Sequence, residues 1–232
     1  MVLRILFTLI LFGASFIVPV YFSVLTINLV KIGTGWVAAT ILLRALCILL
    51  VLVALLILKN VFQKTRKISF LIVLLIALPT GFGISFISPI YQSDYGDFTD
   101  DVQLVKADEL KAEIGNFLSS DNSSSLLCFF TTTCPHCKVA SEKIGINQEA
   151  GQKIKVVTVF PGEVSDTEKF ITEHRGQQFD VRYVSNDQLF VETSGGVFPS
   201  VFLLDANGNT LKHWTGDNLN YSGLDYLLNL EQ

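Results

Sequence analysis

LLCFFTTTCPHCKVASEKIGINQEA, residues 126–150, decides the fold. Its first eight residues are a short buried-strand run of β-formers, and the rest is a helical stretch. The chain therefore passes from strand to helix at Cys134-Pro135-His136-Cys137. That spacing sets two sulfurs on the first helical turn, close enough to close a disulfide. Cys134, at the helix N-terminus, faces unpaired backbone N–H groups and the positive end of the helix dipole, which favour thiolate over thiol. His136, if protonated, adds a second cation near the sulfur. A thiolate is both the attacking species and the better leaving group, so the arrangement speeds exchange. Cys137, one turn on and facing inward, is placed to resolve a mixed disulfide.

Other uses of the pair are weaker. A zinc site usually needs a second ligand pair, and no second CxxC is present. His174 and His213 read as surface residues that would supply ligands only by folding chance. A purely structural disulfide across two intervening residues constrains almost nothing. A copper metallochaperone holding metal through reduced Cys134 and Cys137 with a distant His stays as an alternative from a different class. A non-catalytic membrane subunit that only recognises partners is another.

Strand and helix signals alternate outward from this unit. ADELKAEIGNFL (107–118) has helical spacing at Leu110, Ile114, Phe117 and Leu118, and SSDNSSS is a loop. KIKVVTVF (153–160) reads as a strand, and VSDTEKFITEHR (164–175) as a helix with Ser165 or Asp166 as its cap. FDVRYV (179–184) reads as a strand. SVFLLD (200–205), the Asn207-Gly208 turn and TLKHWTG (210–216) form a hairpin, and GLDYLLNL (223–230) closes the chain as a helix. The expectation is an α/β sandwich with a mixed sheet over residues 103–232, preceded by an acidic linker at 91–102.

The strand–CxxC–helix unit, followed by GGVFPSVFLLDANGNTLKHWTG (195–216), resembles the thioredoxin superfamily, and within it the membrane-anchored TlpA-like thiol–disulfide proteins. The likeness covers roughly residues 100–232. It implies a thioredoxin-like fold, a mixed sheet flanked by helices, and oxidoreductase activity with no cofactor and no metal. It implies roles for Cys134, Pro135, His136 and Cys137 at the redox centre. Phe198-Pro199 matches the family's cis-proline, whose preceding backbone pairs with substrate, so Phe198 and Pro199 would form the substrate contact. The family often places a buried acid or Asn six residues before the first cysteine. Here that position is Cys128, and a buried thiol is mostly an inert small hydrophobe. The Pro-His dipeptide resembles that of DsbA-type oxidases, although no long helical insertion accompanies it. It tunes potential without assigning direction.

The chain's first part is of another kind. Of 232 residues, 50% are hydrophobic and 16% charged, and the charge is unevenly spread. Residues 1–90 hold seven of the 17 Lys and Arg and none of the 21 acids, so residues 91–232 hold ten bases and all 21 acids. The formal charges are +7 and −11. The positive charge sits among apolar runs, which excludes a nucleic-acid binder. Four cysteines in this length exclude a disulfide-dense mini-protein. Three apolar runs, 5–27, 36–58 and 68–90, are each long enough as helix, roughly 34 Å, to cross a hydrocarbon core of about 30 Å. The first outruns the core of a secretory signal and reads as an uncleaved helix. The expectation is an all-α transmembrane region of three helices.

The connector after Leu58 carries Lys59, Lys64, Arg66 and Lys67, and basic loops stay cytoplasmic. The amino terminus would then be cytoplasmic and the C-terminal domain periplasmic or extracellular, on a bacterial cell membrane. The implied partners are the lipid bilayer, cysteine-containing extracytoplasmic proteins and a separate redox partner. Cys47 stands alone among the apolar runs, whereas a membrane relay of thiol electrons needs a pair. Arg44 is expected to snorkel from a helix beginning near Ile41, and Gly81 and Gly83 to permit close helix contact.

Overall fold

A computed structural model of the chain describes residues 2–62, 70–89, 94–120, 123–162 and 165–230. It divides into two compact units, Met1–Gln92 and Ser93–Gln232.

The N-terminal unit contains α1 (Val2–Val20), α2 (Phe22–Lys31), α3 (Trp36–Phe62) and α4 (Phe70–Ser85). The run expected as one helix over 5–27 is two, parting at Tyr21, whose ψ of 20° leaves the helical range. Pro19 explains the break: it has no N–H for the Ser15 carbonyl, and its ring crowds that carbonyl. Helices α1 and α3 are long and apolar enough to cross a membrane, while α2 and α4 are shorter. Three full-length spans are thus not matched one for one. The expected start of the third, and Lys64, Arg66 and Lys67, lie outside the described residues.

Close packing in this unit depends on one glycine. A Cβ on Gly81 would lie 2.6 Å from the Ile48 Cα, so α4 approaches the α3 backbone there, while at Gly83 nothing lies within 4 Å. Cys47 is buried in a cluster with Val18, Phe22 and Leu43. The helix start expected just before Arg44 is not found. Helix α3 begins at Trp36, not near Ile41, and an Arg44 Nη donates to the Ser85 and Ser88 carbonyls at 2.9 and 3.1 Å. Its guanidinium also lies 4.8 Å from the Phe22 ring centroid. Carbonyls at the end of α4 have no partners within their own helix, so they are free to accept from the half-buried guanidinium.

The C-terminal unit contains α5 (Ala107–Ile114), β1 (Ser125–Phe129), α6 (Pro135–Glu149), β2 (Lys155–Pro161) and α7 (Thr167–Glu173). It continues with β3 (Asp180–Val184), α8 (Asp187–Ser194), β4 (Ser200–Leu204), β5 (Thr210–Thr215) and α9 (Tyr221–Asn229). The sheet order is β3-β2-β1-β4-β5. Strand β1 runs parallel to β2 and antiparallel to β4, β2 is parallel to β3, and β4 is antiparallel to β5. The mixed sheet expected from the alternating pattern forms, and the Asn207-Gly208 hairpin joins β4 to β5. Gly208 takes the positive φ of 88° that this turn requires, while the Asp205 carboxylate accepts from the Asn207 and Asn209 amides.

Strand β1 is buried throughout, because helices cover both faces. One face joins Leu127, Phe129, Val157, Val159, Phe202 and Leu204 to Leu110 and Ile114 of α5 and Leu189 and Phe190 of α8. Alternation along the strand turns Leu126, Cys128 and Phe130 the other way. Phe130, Phe160 and Phe170 of α7 pack there edge to face or tilted. Helices α6 and α9 are tied by the Asn147 side-chain amide donating to the Leu224 carbonyl at 3.0 Å.

Three expectations need adjusting. The first helix stops at Ile114, and Gly115, with φ 80°, leads Phe117 into the core without further helix. Helix α8 has no counterpart in the sequence reading, although Asn186 caps it by accepting the Leu189 amide at 3.1 Å. The stretch read as a linker lies against the sheet edge. The Asp100 amide donates to the His213 carbonyl at 2.9 Å, and Asp97 pairs with Lys212 at 2.9 Å.

Candidate active site

The junction of β1 and α6 positions the two cysteines. Cys134 is the N-cap of α6, with extended backbone, and Pro135 occupies the first helical turn, where its missing N–H costs nothing. The Cys134 Sγ accepts the Cys137 amide at 3.2 Å and lies 3.7 Å from the Phe198 carbonyl, to which its thiol donates. Cys134 is half-buried, while Cys137 is fully buried. Burial, first of all, pushes the Cys137 thiol well up, and Cys134 adds to the shift; contacts from Thr131 work the other way. The two sulfurs are therefore unequal: one is accessible and held by a backbone donor, the other withdrawn and protonated.

The opposing wall comes from the start of β4. The Phe198–Pro199 peptide is cis. The Phe198 carbonyl faces the Cys134 sulfur, while its ring stacks on Phe190 at 5.2 Å and packs against the core. The Pro199 carbonyl accepts the Gly216 amide at 2.9 Å, which ties the end of β5 to the same loop. Phe198 and Pro199 are thus brought to the cysteine pair across the sheet. What Phe198 offers toward the sulfur is backbone, not side chain.

His136 is also at the site, but its Nδ1 is 2.5 Å from Asp217 Oδ1, in the turn after β5. Cys128 is fully buried in β1, and burial first, then Cys137, push its thiol well up. It therefore sits beside Cys137 as a neutral group.

The surface readings of His174 and His213 fail. His174 is largely covered, its Nδ1 bonds Glu142 at 2.8 Å, and its backbone carbonyl accepts from Ser141 at 2.8 Å. His213 is 3% exposed, stacks on Phe202 at 4.1 Å, and its Nε2 is 2.9 Å from Ser200 Oγ. Its Nδ1 is buried without a hydrogen bond, 3.9 Å from an Asp100 oxygen. Burial holds its imidazole below its usual range, with Asp100 opposing. Ser200 and Asp100 escaped the sequence reading. No local signal in the sequence marks them, because His213 meets Ser200 and Phe202 only through the register of β4 and β5. Among the described residues, no group of three or more His, Cys, Asp or Glu is placed to hold a metal. The third ligand of the copper alternative is therefore not gathered at the cysteine pair.

No protein family matches the chain, and no curated protein does. Solved structures do. DsbF from MTB matches at 17% identity over 46% of this chain and 79% of its own, with a TM-score of 0.39. StoA from Bacillus subtilis matches at 25% identity over 46% of this chain and 82% of its own, with a TM-score of 0.38. The thioredoxin domain of a thiol-disulfide oxidoreductase from Bacteroides vulgatus matches at 21% over 50% and 88%, with a TM-score of 0.40. The fold is carried by the chain's own topology: the strand order is β3-β2-β1-β4-β5, Cys134-Pro135-His136-Cys137 follows β1, and the cis Phe198–Pro199 peptide precedes β4. By these features, the C-terminal unit has a thioredoxin-like fold.

Proposed function

We propose that the chain is a membrane-anchored thiol–disulfide oxidoreductase that exchanges disulfides with cysteine-containing extracytoplasmic proteins. The observation that carries this reading is the inequality of the two sulfurs. Cys134 is reachable and bound by the Cys137 amide at 3.2 Å, and Cys137 is fully buried one turn away. The Cys134 thiolate attacks a substrate disulfide, forming a mixed disulfide and releasing one substrate thiolate. Cys137 then attacks the Cys134 sulfur and its proton passes to the departing sulfur. Two electrons have moved: the substrate is reduced and the Cys134–Cys137 pair oxidised. The reverse sequence donates a disulfide. An extended substrate segment lies against the Phe198 and Pro199 backbone, His136 tunes the sulfur, and a separate redox partner resets the pair.

The N-terminal unit acts as the anchor in this reading. Leu6, Phe7, Leu9, Ile10, Phe16, Ile41, Leu42, Leu46 and Leu49 of α1 and α3 are exposed apolar side chains, a surface that lipid, not water, would cover. The basic connector after α3 would be cytoplasmic and the C-terminal unit outside.

The test uses the full chain in detergent, equilibrated in glutathione and dithiothreitol buffers, with thiols counted by alkylation mass shift. A Cys134–Cys137 disulfide with a defined potential supports exchange. A value near about −120 mV marks a donor of disulfides, and one near about −270 mV a reductant. A chain that forms no such disulfide at any poise overturns the proposal. Stoichiometric copper retention in place of exchange would favour the metallochaperone.

A further inference from the structure

His136 is the ionisable side chain between the two cysteines, and a third element governs where its imidazole points. Asp217 lies in the turn after β5, and that turn is fixed against the site. The Gly216 amide donates to the Pro199 carbonyl at 2.9 Å, and the Asn218 amide donates to the Thr215 carbonyl at 3.0 Å. From there the Asp217 carboxylate takes the His136 Nδ1 at 2.5 Å. The Cys134 sulfur's hydrogen bonds are to the Cys137 amide and the Phe198 carbonyl, and the imidazole is not among them. Lys143, two turns along the same face of α6, also feels Asp217, together with Asp94.

An imidazole N–H, or an imidazolium, beside a cysteine sulfur stabilises the thiolate. That stabilises the reduced pair and makes the disulfide a stronger oxidant. A carboxylate on the imidazole works against that stabilisation: it takes the Nδ1 donor, and its negative charge offsets any imidazolium it pairs with. We propose that Asp217 is a positioning residue that holds His136 off the Cys134 sulfur and so keeps the pair less oxidising than its Cys-Pro-His-Cys sequence would otherwise make it. This inference rests on the thiol–disulfide reading and adds to it a determinant of potential, remote in sequence. The pair is exposed, with side-chain accessibilities of 54% and 67%. Its effect is accordingly modest and sensitive to salt.

The test measures the thiol–disulfide equilibrium of the full chain against glutathione, in unchanged protein, Asp217→Asn, His136→Gln and the double variant. Asp217→Asn is expected to shift the equilibrium toward the dithiol by three- to tenfold, about 14–30 mV for a two-electron couple. In the His136→Gln background the same change is expected to shift it less than about twofold, because the carboxylate acts through the imidazole. Raising salt to about 1 M should shrink the first shift. An Asp217→Asn shift of equal size with and without His136, no shift, or a shift toward the disulfide overturns the inference while exchange stands. A chain with no Cys134–Cys137 disulfide at any poise overturns both. Asp217 is exposed and in a turn, so its substitution does not threaten folding.

Discussion

The buried imidazole of His213 should make the C-terminal unit lose stability on mild acidification, and that loss can be removed by two substitutions. His213 is 3% exposed, its Nε2 bonds Ser200 Oγ at 2.9 Å, and its Nδ1 has no partner within hydrogen-bonding distance. Burial, the larger effect, lowers its pKa in the folded chain, while Asp100 opposes. In the unfolded chain it titrates near about 6.5. Between the two values the unfolded state binds a proton that the folded state does not, so stability rises with pH in that window. The contribution is fully present above about pH 6.5 and is lost as pH falls from there toward the folded value. The slope cannot exceed about 1.4 kcal/mol per pH unit for one proton. The carboxylates held low by their partners, Asp97, Glu113 and Asp205, lose their contribution only in more acid solution, below about pH 4.

The perturbation is His213→Phe with Ser200→Ala, which removes the titrating group together with the hydroxyl that it would otherwise leave unpaired, at a cost of about 1–3 kcal/mol. Phe keeps the stack on Phe202. The assay is urea unfolding of the full chain in detergent from about pH 7.5 down to about pH 5. It is read by Trp214 fluorescence in a Trp36→Phe background. The double variant should lose less stability over that range than the parent. An identical pH slope in the two proteins would refute the reasoning. Ser200→Ala alone should destabilise the parent by about 1–3 kcal/mol at neutral pH, since it strips His213 of its remaining partner.

Other predictions concern the core, the anchor and the exchange step. Phe129→Ala removes a fully buried ring that packs against Phe190 and Phe202 and should cost about 3–5 kcal/mol in urea unfolding, far beyond a surface change. Gly81→Val should lower the thermal stability of the N-terminal unit, because a Cβ there meets the Ile48 backbone; Gly83→Ala, with nothing within 4 Å, is the matched control and should be near neutral. Cys137→Ser should leave Cys134 able to attack but unable to release its partner. Mixed disulfides should then accumulate on non-reducing gels and disappear with Cys134→Ser.

Much of this architecture was legible along the chain. Strands β2, β3, β4 and β5 were expected within a residue or two, because each is a compact run of β-forming residues between turn signals, whereas β1 ends at Phe129, four residues before the run of β-formers does. The cysteine pair was legible because N-capping is local: Cys134, Pro135 and Cys137 make their contacts within one helical turn. Helix α8 was missed because its start depends on Asn186 alone, a single capping residue after a strand, and its eight residues carry little periodicity. Pro19 marked the break at Tyr21 in the sequence, but an unbroken apolar run reads as one span, because composition does not say whether a proline bends a helix or ends it. The partners of Arg44 were not legible for a related reason: the Ser85 and Ser88 carbonyls that receive it lie at and just beyond the end of α4, about forty residues along the chain.

By itself the sequence determined the split into a basic apolar part and an acidic α/β part, the strand-to-helix placement of Cys134 and Cys137, and the hairpin that follows Pro199. All of these follow from periodicity, turn chemistry and contacts between near neighbours. Tertiary structure alone decided which groups meet across the sheet. It brought the Phe198 carbonyl to the Cys134 sulfur, Asp217 to His136, and Ser200 to His213. Those meetings depend on strand order and on which face of a strand is covered, and a side chain's sequence neighbours carry neither. The same His-containing stretch on an uncovered face would have been a surface, and buried against Phe202 it becomes a pH-sensitive part of the core.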